Sequence, residues 1–188
     1  MGLEFPEDVE VDVERLLDRV ATYPSGDNCQ PFRFEWDGSR LAVIYEVDRG
    51  AHRLNPGHIL SWMTLGFVLE TIDLAASEQG LDADWELPAG TPVAELPSVV
   101  RVRLARSGRA PLPLAAQLSR RRTVRAAYRV DSGLPSELAA QLLDLRREFQ
   151  GAGIRLLPHP YPRELVRYFS DCDHMVWSDR LGACPSLS

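Results

Sequence analysis

One short loop combines side-chain types that are suited to the edge of a flat heterocycle. Residues 24–32 read PSGDNCQPF, in which Ser25, Asn28 and Gln30 follow one another on a backbone bent by one glycine and two prolines. Amide side chains both donate and accept hydrogen bonds, so this composition suits a ring with imide-like edges. An ordinary polar connection between a helix and a strand has a similar composition, so the loop alone leaves both interpretations open.

A second segment concentrates positive charge further along the chain. Four of the six residues from 120 to 125 are arginine, among them Arg121, Arg122 and Arg125. Like charges at this spacing repel one another unless water or anions compensate them, and a guanidinium group binds phosphate through two parallel hydrogen bonds. The cluster indicates either a phosphate site or a solvated helix end, where positive charge suits the helix dipole.

Hydrophobic spacing predicts the elements that would position these two segments. Alternating apolar residues predict strands over 32–36, 41–47, 81–87, 99–104 and 154–157. Helical spacing predicts helices over 7–21, 57–79, 112–121, 135–150 and 162–177. The helix over 57–79 is apolar almost all round, which predicts that it is buried. Together the patterns predict an α+β protein, with an antiparallel-rich mixed sheet flanked by helices around a long buried central helix.

Composition narrows the class of protein. The chain has 188 residues, of which 45% are hydrophobic and 26% charged, a balance typical of a globular protein of one domain or slightly more. All 21 basic residues are arginine, which excludes a Schiff-base lysine and a Walker-type phosphate loop, since both need an amine. Three cysteines without CxxC spacing and four histidines without metal-ligand spacing lead us to expect neither a disulfide framework nor a metal site.

The charge is unevenly distributed along the chain. Residues 1–100 carry 6 arginines and 19 acidic residues, a net charge of −13, whereas residues 101–188 carry 15 arginines and 8 acidic residues, a net charge of +7. This distribution suggests that the two halves pack together or that the basic half meets an anion. An isoelectric point near 5.2 argues against nucleic acid as a partner. No signal peptide or bilayer-length apolar stretch is recognised, so we expect a cytoplasmic protein without a membrane partner.

Taken together, the two segments resemble the flavin-dependent nitroreductase family. PSGDNCQPF is similar to the PS-x-x-N-x-QPW loop of that family, and RRTVRAAY followed by LPSELAAQLLDLRREF resembles its arginine opening and the helix after it. The predicted helix over 57–79, which ends at Gly80 and Leu81, resembles the long central helix of the family. Phe32 stands where the family usually has tryptophan, and the later Gly-rich segment and C-terminal basic residue of ordinary members have no counterpart here.

The order of the motifs resembles a particular branch of that family. In ordinary members the arginine motif precedes the polar loop, whereas here it follows. This order is similar to tandem, single-chain Acg-like members, in which two nitroreductase-like units imitate the usual homodimer. The resemblance implies a first unit over residues 1–117 and the start of an incomplete second unit over residues 118–188.

The resemblance also implies a cofactor and its site. Ser25, Asn28 and Gln30 would contact the isoalloxazine or ribityl part of FMN, and the arginines of the cluster (Arg121, Arg122 and Arg125) would face its phosphate. The implied activity is transfer of hydride from NAD(P)H to a small organic acceptor, such as a nitroaromatic or quinone-like compound. No catalytic side chain is implied, because the flavin carries the chemistry. The implied partners are NAD(P)H, the acceptor, and a second copy or partner subunit. The alternative is a non-catalytic relative that sequesters flavin or serves as a structural subunit.

Overall fold

The structure, a computed structural model, describes residues 11–51, 55–88, 96–123, 134–148 and 163–178. The chain divides into two compact units, residues 1–123 and residues 124–188. The polar loop and the first arginines of the cluster belong to the first unit, whereas Arg125 lies outside the described residues. The assignment of residues 1–117 and 118–188 to two nitroreductase-like units stays a prediction.

A four-stranded antiparallel sheet forms one layer of the first unit. Its strands are β1 (Phe32–Trp36), β2 (Arg40–Tyr45), β3 (Leu81–Glu86) and β4 (Val99–Arg106). The spatial order is β1-β2-β4-β3, and all three pairings among the described strands are antiparallel. Asp37 closes the β1–β2 turn, because its carboxylate accepts hydrogen bonds from the backbone N–H groups of Ser39 and Arg40. These bonds lower the pKa of Asp37 below its usual value. The α+β class is confirmed.

The other layer consists of two helices packed on one face of the sheet. These are α1 (Val13–Val20) and α3 (Ile59–Ser77). Alternate residues of the central strands turn towards α3, and the buried core includes Leu41, Val43, Val100, Val102, Val68, Ile72, Leu16 and Val20. A period of two on the strands and of 3.6 on the helices therefore brings one apolar face of each element into a common core. Burial of these side chains is the main force that holds the unit together.

The central helix is confirmed, but its burial is only partial. On one face Val68, Ile72 and the small residues around them are buried. On another face Ile59, Met63 and Phe67, spaced four residues apart, are 60%, 55% and 46% exposed. An almost uniformly apolar sequence cannot indicate which of its side chains the fold covers. The stretch Pro56–Ser77 is long and apolar enough to cross a membrane, yet 56% of its most apolar window is buried in the protein, which is the packing of a core helix.

Two local predictions differ from the structure. The strand predicted over 41–47 ends at Tyr45, and Val47 begins a single helical turn, α2 (Val47–Gly50), on which its side chain is 53% exposed. This turn is too short for helical periodicity to become visible in the sequence. The helix predicted over 112–121 is present but shorter, as a 3-10 helix, Ala115–Arg120. Its turns close through short-range bonds, such as that from the N–H of Gln117 to the carbonyl of Leu114.

The segment after β4 is tied to the C-terminal end of α3. Gly80 ends that helix with a positive φ of 70°, as expected for a residue free of Cβ crowding. Its carbonyl accepts a hydrogen bond of 2.8 Å from the N–H of Ser107, and the Ser77 hydroxyl oxygen accepts one of 3.1 Å from the N–H of Leu112. The chain therefore passes back beneath α3 before it reaches the arginine cluster.

The described part of the second unit consists of two helices. They are α4 (Ser136–Glu148) and α5 (Arg163–Ser178), which confirms the predictions over 135–150 and 162–177 within the described residues. The predicted strand over 154–157 lies outside those residues, as does the first part of the helix predicted over 7–21.

Candidate functional site

The polar loop folds into a compact turn between α1 and β1. Residues Gly26–Asn28 form one turn of 3-10 helix, and the Ser25 hydroxyl oxygen accepts a hydrogen bond of 3.1 Å from the backbone N–H of Gln30. The Gln30 side-chain amide donates to the carbonyl of Ala21 and to the side-chain oxygen of Asn28, both at 3.4 Å. The structure therefore brings all three of the predicted loop residues together.

The backbone of this loop is held in an uncommon conformation. Asn28 and Gln30 have positive φ angles of 57° and 43°, in the left-handed region that side chains with a Cβ rarely adopt. Asparagine tolerates this conformation better than most residues, so the cost, on the order of 1–3 kcal/mol where the surroundings impose it, falls mainly on Gln30. Strain of this kind is concentrated at functional sites, which makes the loop a candidate on its geometry as well as on its composition.

The base of the loop is fixed by the core beneath it. The buried Tyr23 hydroxyl lies 3.4 Å from the N–H and 3.5 Å from the carbonyl oxygen of Phe32. Burial raises the pKa of Tyr23, so this phenol stays protonated and can bond both backbone groups. On the other side, a Cβ added to Gly26 would lie 3.5 Å from the Leu60 side chain, at the start of α3. The loop thus lies against the N-terminal end of the central helix.

The arginine cluster begins where the 3-10 helix Ala115–Arg120 ends, and the structure places it beside the polar loop. The guanidinium group of Arg121 donates a hydrogen bond to the carbonyl of Thr22, two residues before the loop. The buried Ala115 and Leu118 anchor the 3-10 helix that carries the arginine there. Two segments that are far apart in sequence therefore come into direct contact.

The other arginines of the cluster are oriented by their own backbone. The guanidinium group of Arg122 donates to the carbonyls of Ser119 and Arg121 at 3.0 and 2.8 Å. Arg120, Arg121 and Arg122 are all exposed, and they form no ion pair with a carboxylate anywhere in the described part of the chain. Each guanidinium group has five N–H donors, so these side chains keep donors for an anion.

Sequence reasoning missed two residues that surround the loop. Arg49, on α2, donates a hydrogen bond of 3.3 Å to the carbonyl of Gln30 and forms an ion pair of 2.9 Å with Glu46. His58, immediately before α3, also has a positive φ, of 57°. No motif marks either residue, because their positions depend on the turn after β2, which the sequence pattern extended as strand.

These residues are chemically suited to a phosphorylated heterocycle. Arginines that form no ion pair among the described residues supply the positive charge that a phosphate dianion needs, and the side chains of Asn28 and Gln30 supply both donors and acceptors. In the described residues, no cluster of thiol, imidazole or carboxylate groups is suited to binding a metal ion. The arrangement therefore has the charge and the hydrogen-bonding groups for an anionic heterocycle.

Comparisons with known proteins show a structural likeness. A nitroreductase family protein from Clostridium difficile 630 has a crystal structure similar to this chain, with a TM-score of 0.40 and 21% sequence identity over 63% of this chain and 84% of that one. No protein-family model and no curated protein matches the chain.

Proposed function

We propose that the protein is a nitroreductase-like, FMN-dependent oxidoreductase that transfers hydride from NAD(P)H to a small organic acceptor, such as a nitroaromatic or quinone-like compound. The contact between Arg121 and the Thr22 carbonyl carries this proposal, because it joins the phosphate-type cluster to the heterocycle-type loop. The proposed setting is the cytoplasm, where NAD(P)H is available. The units 1–117 and 118–188 are proposed to correspond to two units of a tandem protein.

The charge around Arg121 supports the assignment of the phosphate. Arg120, Arg121 and Arg122 lie together without a carboxylate partner among the described residues. Without a bound anion, therefore, only the solvent screens the repulsion between their charges. A phosphate dianion compensates this charge through charge-assisted hydrogen bonds, which are about twice as strong as neutral ones. Arg125, which lies outside the described residues, is proposed to complete the set.

The polar loop supports the assignment of the ring. Asn28 is exposed and Gln30 is half-buried, and their left-handed backbone holds both side chains on one compact turn. Their amides would recognise the ring edge, and Ser25, which already supports the Gln30 N–H, would stabilise the turn and contact the ribityl part. When bound, FMN supplies the hydride chemistry, and these residues bind and orient it.

The experiment is a comparison of FMN with riboflavin on the purified protein. We expect flavin absorbance to copurify or to be reconstituted, and FMN to bind at least about tenfold more tightly than riboflavin, because only FMN carries the dianion. Anaerobic addition of NADH or NADPH should then bleach the bound flavin. Equal affinity for the two flavins would remove the role assigned to the arginines.

One observation favours the second candidate, a non-catalytic flavin-binding or partner subunit. The polar groups of the loop already bond one another, as in the contact between the Gln30 N–H and the Ser25 hydroxyl oxygen, so the loop holds its shape without a ligand. In that case FMN would bind, dithionite would bleach it, and neither nicotinamide nucleotide would. This outcome would select the second candidate.

The exposed face of α3 supports a homodimer as the proposed assembly. Ile59, Met63 and Phe67 form an exposed apolar stripe, which Glu70 ends one turn further along the helix, and a second copy would remove it from water. Light scattering at micromolar concentration should report a dimer, and Met63→Glu should convert it to a monomer. Leu114→Glu, at an exposed apolar position away from α3, is the matched control. A monomeric wild-type protein would contradict the proposed homodimer.

A further inference from the structure

A network of buried polar side chains lies at the N-terminal end of the central helix. The hydroxyl oxygen of Tyr45 lies 2.8 Å from Nδ1 of His58 and 3.1 Å from the hydroxyl oxygen of Ser61. The side-chain amide of Asn55 donates a hydrogen bond of 2.8 Å to the Ser61 hydroxyl oxygen. Asn55, Ser61 and Tyr45 are 4%, 2% and 7% exposed, and His58, the last member of this network, is half-buried.

The hydrogen bonds of this network have a defined direction of donation, which is set at Asn55. Its side-chain oxygen accepts from the N–H of Leu60 at 2.8 Å, and its NH₂ group donates to the carbonyl of Gly50 at 2.7 Å. One neighbour can only donate and the other can only accept, so the orientation of the Asn55 amide is fixed. The hydrogen bond that Ser61 receives from it is therefore also fixed.

The direction continues from Ser61 to His58. The Ser61 hydroxyl has two described partners, the amide of Asn55 and the hydroxyl of Tyr45. The Ser61 oxygen could accept from both, but its own hydrogen would then have no acceptor among the described residues. In the arrangement that satisfies every hydrogen, Ser61 donates to Tyr45, and the Tyr45 hydrogen is available to Nδ1 of His58. A ring nitrogen that accepts a hydrogen bond carries no proton, so the network assigns neutral His58 the tautomer with its proton on Nε2.

The opposite tautomer would disturb this arrangement. A proton on Nδ1 would leave one hydroxyl hydrogen of the network without an acceptor among the described residues, a penalty that buried polar groups avoid. The network therefore favours the tautomer whose Nε2–H group is a hydrogen-bond donor. No other hydrogen bond of His58 occurs within the described residues.

His58 lies in the same region as the polar loop. In the described part of the chain, the residues other than glycine with positive φ are His58, Asn28 and Gln30. The start of α3 packs against Gly26 of the loop, and Arg49, next to Gly50, donates to the carbonyl of Gln30. The oriented imidazole and the proposed flavin site thus share one end of the central helix.

We propose that His58 is a binding residue of this site, whose Nε2–H group hydrogen-bonds an oxygen of the carbonyl or nitro group of the organic acceptor. Tyr45 is its positioning residue, since its hydroxyl bonds Nδ1 and its ring meets the imidazole edge-on, with the ring centroids 5.7 Å apart. A fixed N–H donor beside the group that is reduced would orient it and would polarise its oxygen. This inference rests on the proposed function, because the acceptor is the one that the proposed reaction requires.

The first test needs no flavin and no activity. Nitrogen-15 NMR of the histidine rings in the purified protein at neutral pH should place the His58 proton on Nε2, with Nδ1 unprotonated. Tyr45→Phe should remove the preference between the two tautomers. Tyr23→Phe, which alters another buried phenol that bonds only to backbone, is the matched control and should leave the His58 signal unchanged. An Nδ1-protonated ring in the wild-type protein would overturn the inference.

The second test uses the flavin-loaded protein with p-benzoquinone or nitrobenzene as the acceptor. In His58→Asn the side chain ends near the position of Nδ1, so the Nε2 donor is lost, while asparagine tolerates the left-handed backbone. We expect kcat/KM for the acceptor to fall about 2- to 12-fold, as for one lost hydrogen bond, with FMN affinity unchanged. An unchanged kcat/KM would overturn this inference alone. Absence of FMN binding in the wild-type protein would overturn the proposed function and this acceptor role together.

Discussion

Two groups of arginines in one segment of the chain have opposite surroundings. Residues 101–123 contain seven arginines and no acidic residue. On β4 and just after it, Arg103 forms an ion pair of 3.1 Å with Asp84, and Arg109 forms ion pairs with Asp73 and Asp82. At the end of the segment, Arg121 and its neighbours form no ion pair with a described residue.

The difference arises from the sheet register rather than from the arginines themselves. Asp84 on β3 is directly opposite Arg103 on β4, and Glu86 is opposite Arg101, so acidic residues from an earlier part of the chain meet the basic strand. A groove of about 320 Å³ on that face is lined by arginines and acidic residues together. A run of positive charge in a sequence therefore indicates an anion site only where the fold brings no carboxylate to it.

The removal of Arg121 should have the largest effect. Arg121→Ala should weaken FMN binding by about 1.5–3 kcal/mol, which is roughly 12- to 150-fold, because hydrogen bonds to a charged group contribute that much. Fluorescence titration of FMN measures the change. Arg121→Lys keeps the charge but loses the planar fork, so its FMN affinity should lie between those of the wild-type protein and Arg121→Ala. An unchanged affinity in Arg121→Ala would place the phosphate elsewhere.

A carboxylate placed beside the arginine cluster should give it an ionic partner, as Asp84 on β3 does for Arg103 on β4. Thr22 is exposed and its carbonyl contacts Arg121, so Thr22→Glu would supply a competing partner. We expect FMN affinity to fall about two- to fivefold, the range of an exposed ion pair. Thr22→Gln, of similar size without charge, is the control. Equal effects of both variants would show that shape rather than charge is responsible.

Loss of the ion pair between Arg103 and Asp84 should lower stability slightly and leave FMN binding unchanged. In Arg103→Ala the free energy of unfolding should fall by less than about 1 kcal/mol, because the pair with Asp84 is solvent-exposed. Urea unfolding measures this change, and the same FMN titration should give the wild-type affinity. Weaker FMN binding in this variant would remove the distinction between the two groups of arginines.

The smallest effect concerns pH. A hydrogen bond from the Ser107 hydroxyl, together with Arg109, lowers the pKa of Asp82 below its ordinary value of 3.8. A lowered pKa in the folded state adds stability above the pKa of the unfolded chain, and this stability is lost as the pH falls through the folded value. The stability difference between wild type and Asp82→Asn should therefore shrink below about pH 4. Urea unfolding from pH 7 to pH 3 measures it, and a constant difference would contradict this account.

Much of the fold was predictable because it depends on local patterns. Alternation located the four strands of the sheet, and the apolar run located α3 to within a few residues. The helix predicted over 112–121 was located, although it is a 3-10 helix over 115–120. The turn at 47–50 was not predictable, since contacts distant in sequence stabilise it. One example is the hydrogen bond from the N–H of Glu46 to the carbonyl of Pro31.

The candidate site was predictable in part for a similar reason. The loop residues and Arg121 are recognisable as residue types, but their contact depends on the return of the chain beneath α3. The network of side-chain hydrogen bonds that links Asn55 to His58 carried no signal in the sequence, because Tyr45 reaches His58 from a strand 13 residues earlier. A histidine without metal-ligand spacing gave no reason to connect it with a buried tyrosine.

The close approach of Gly50 to Tyr45 has a consequence for the divergence of related sequences. A Cβ at position 50 would lie 2.1 Å from the Tyr45 hydroxyl oxygen and 2.7 and 2.8 Å from two ring carbons. A side chain at position 50 therefore forces the Tyr45 ring to shift, so we expect the residues at positions 45 and 50 to covary. A relative with any other residue at position 50 is expected to have lost the tyrosine as well, and with it the orientation of the imidazole.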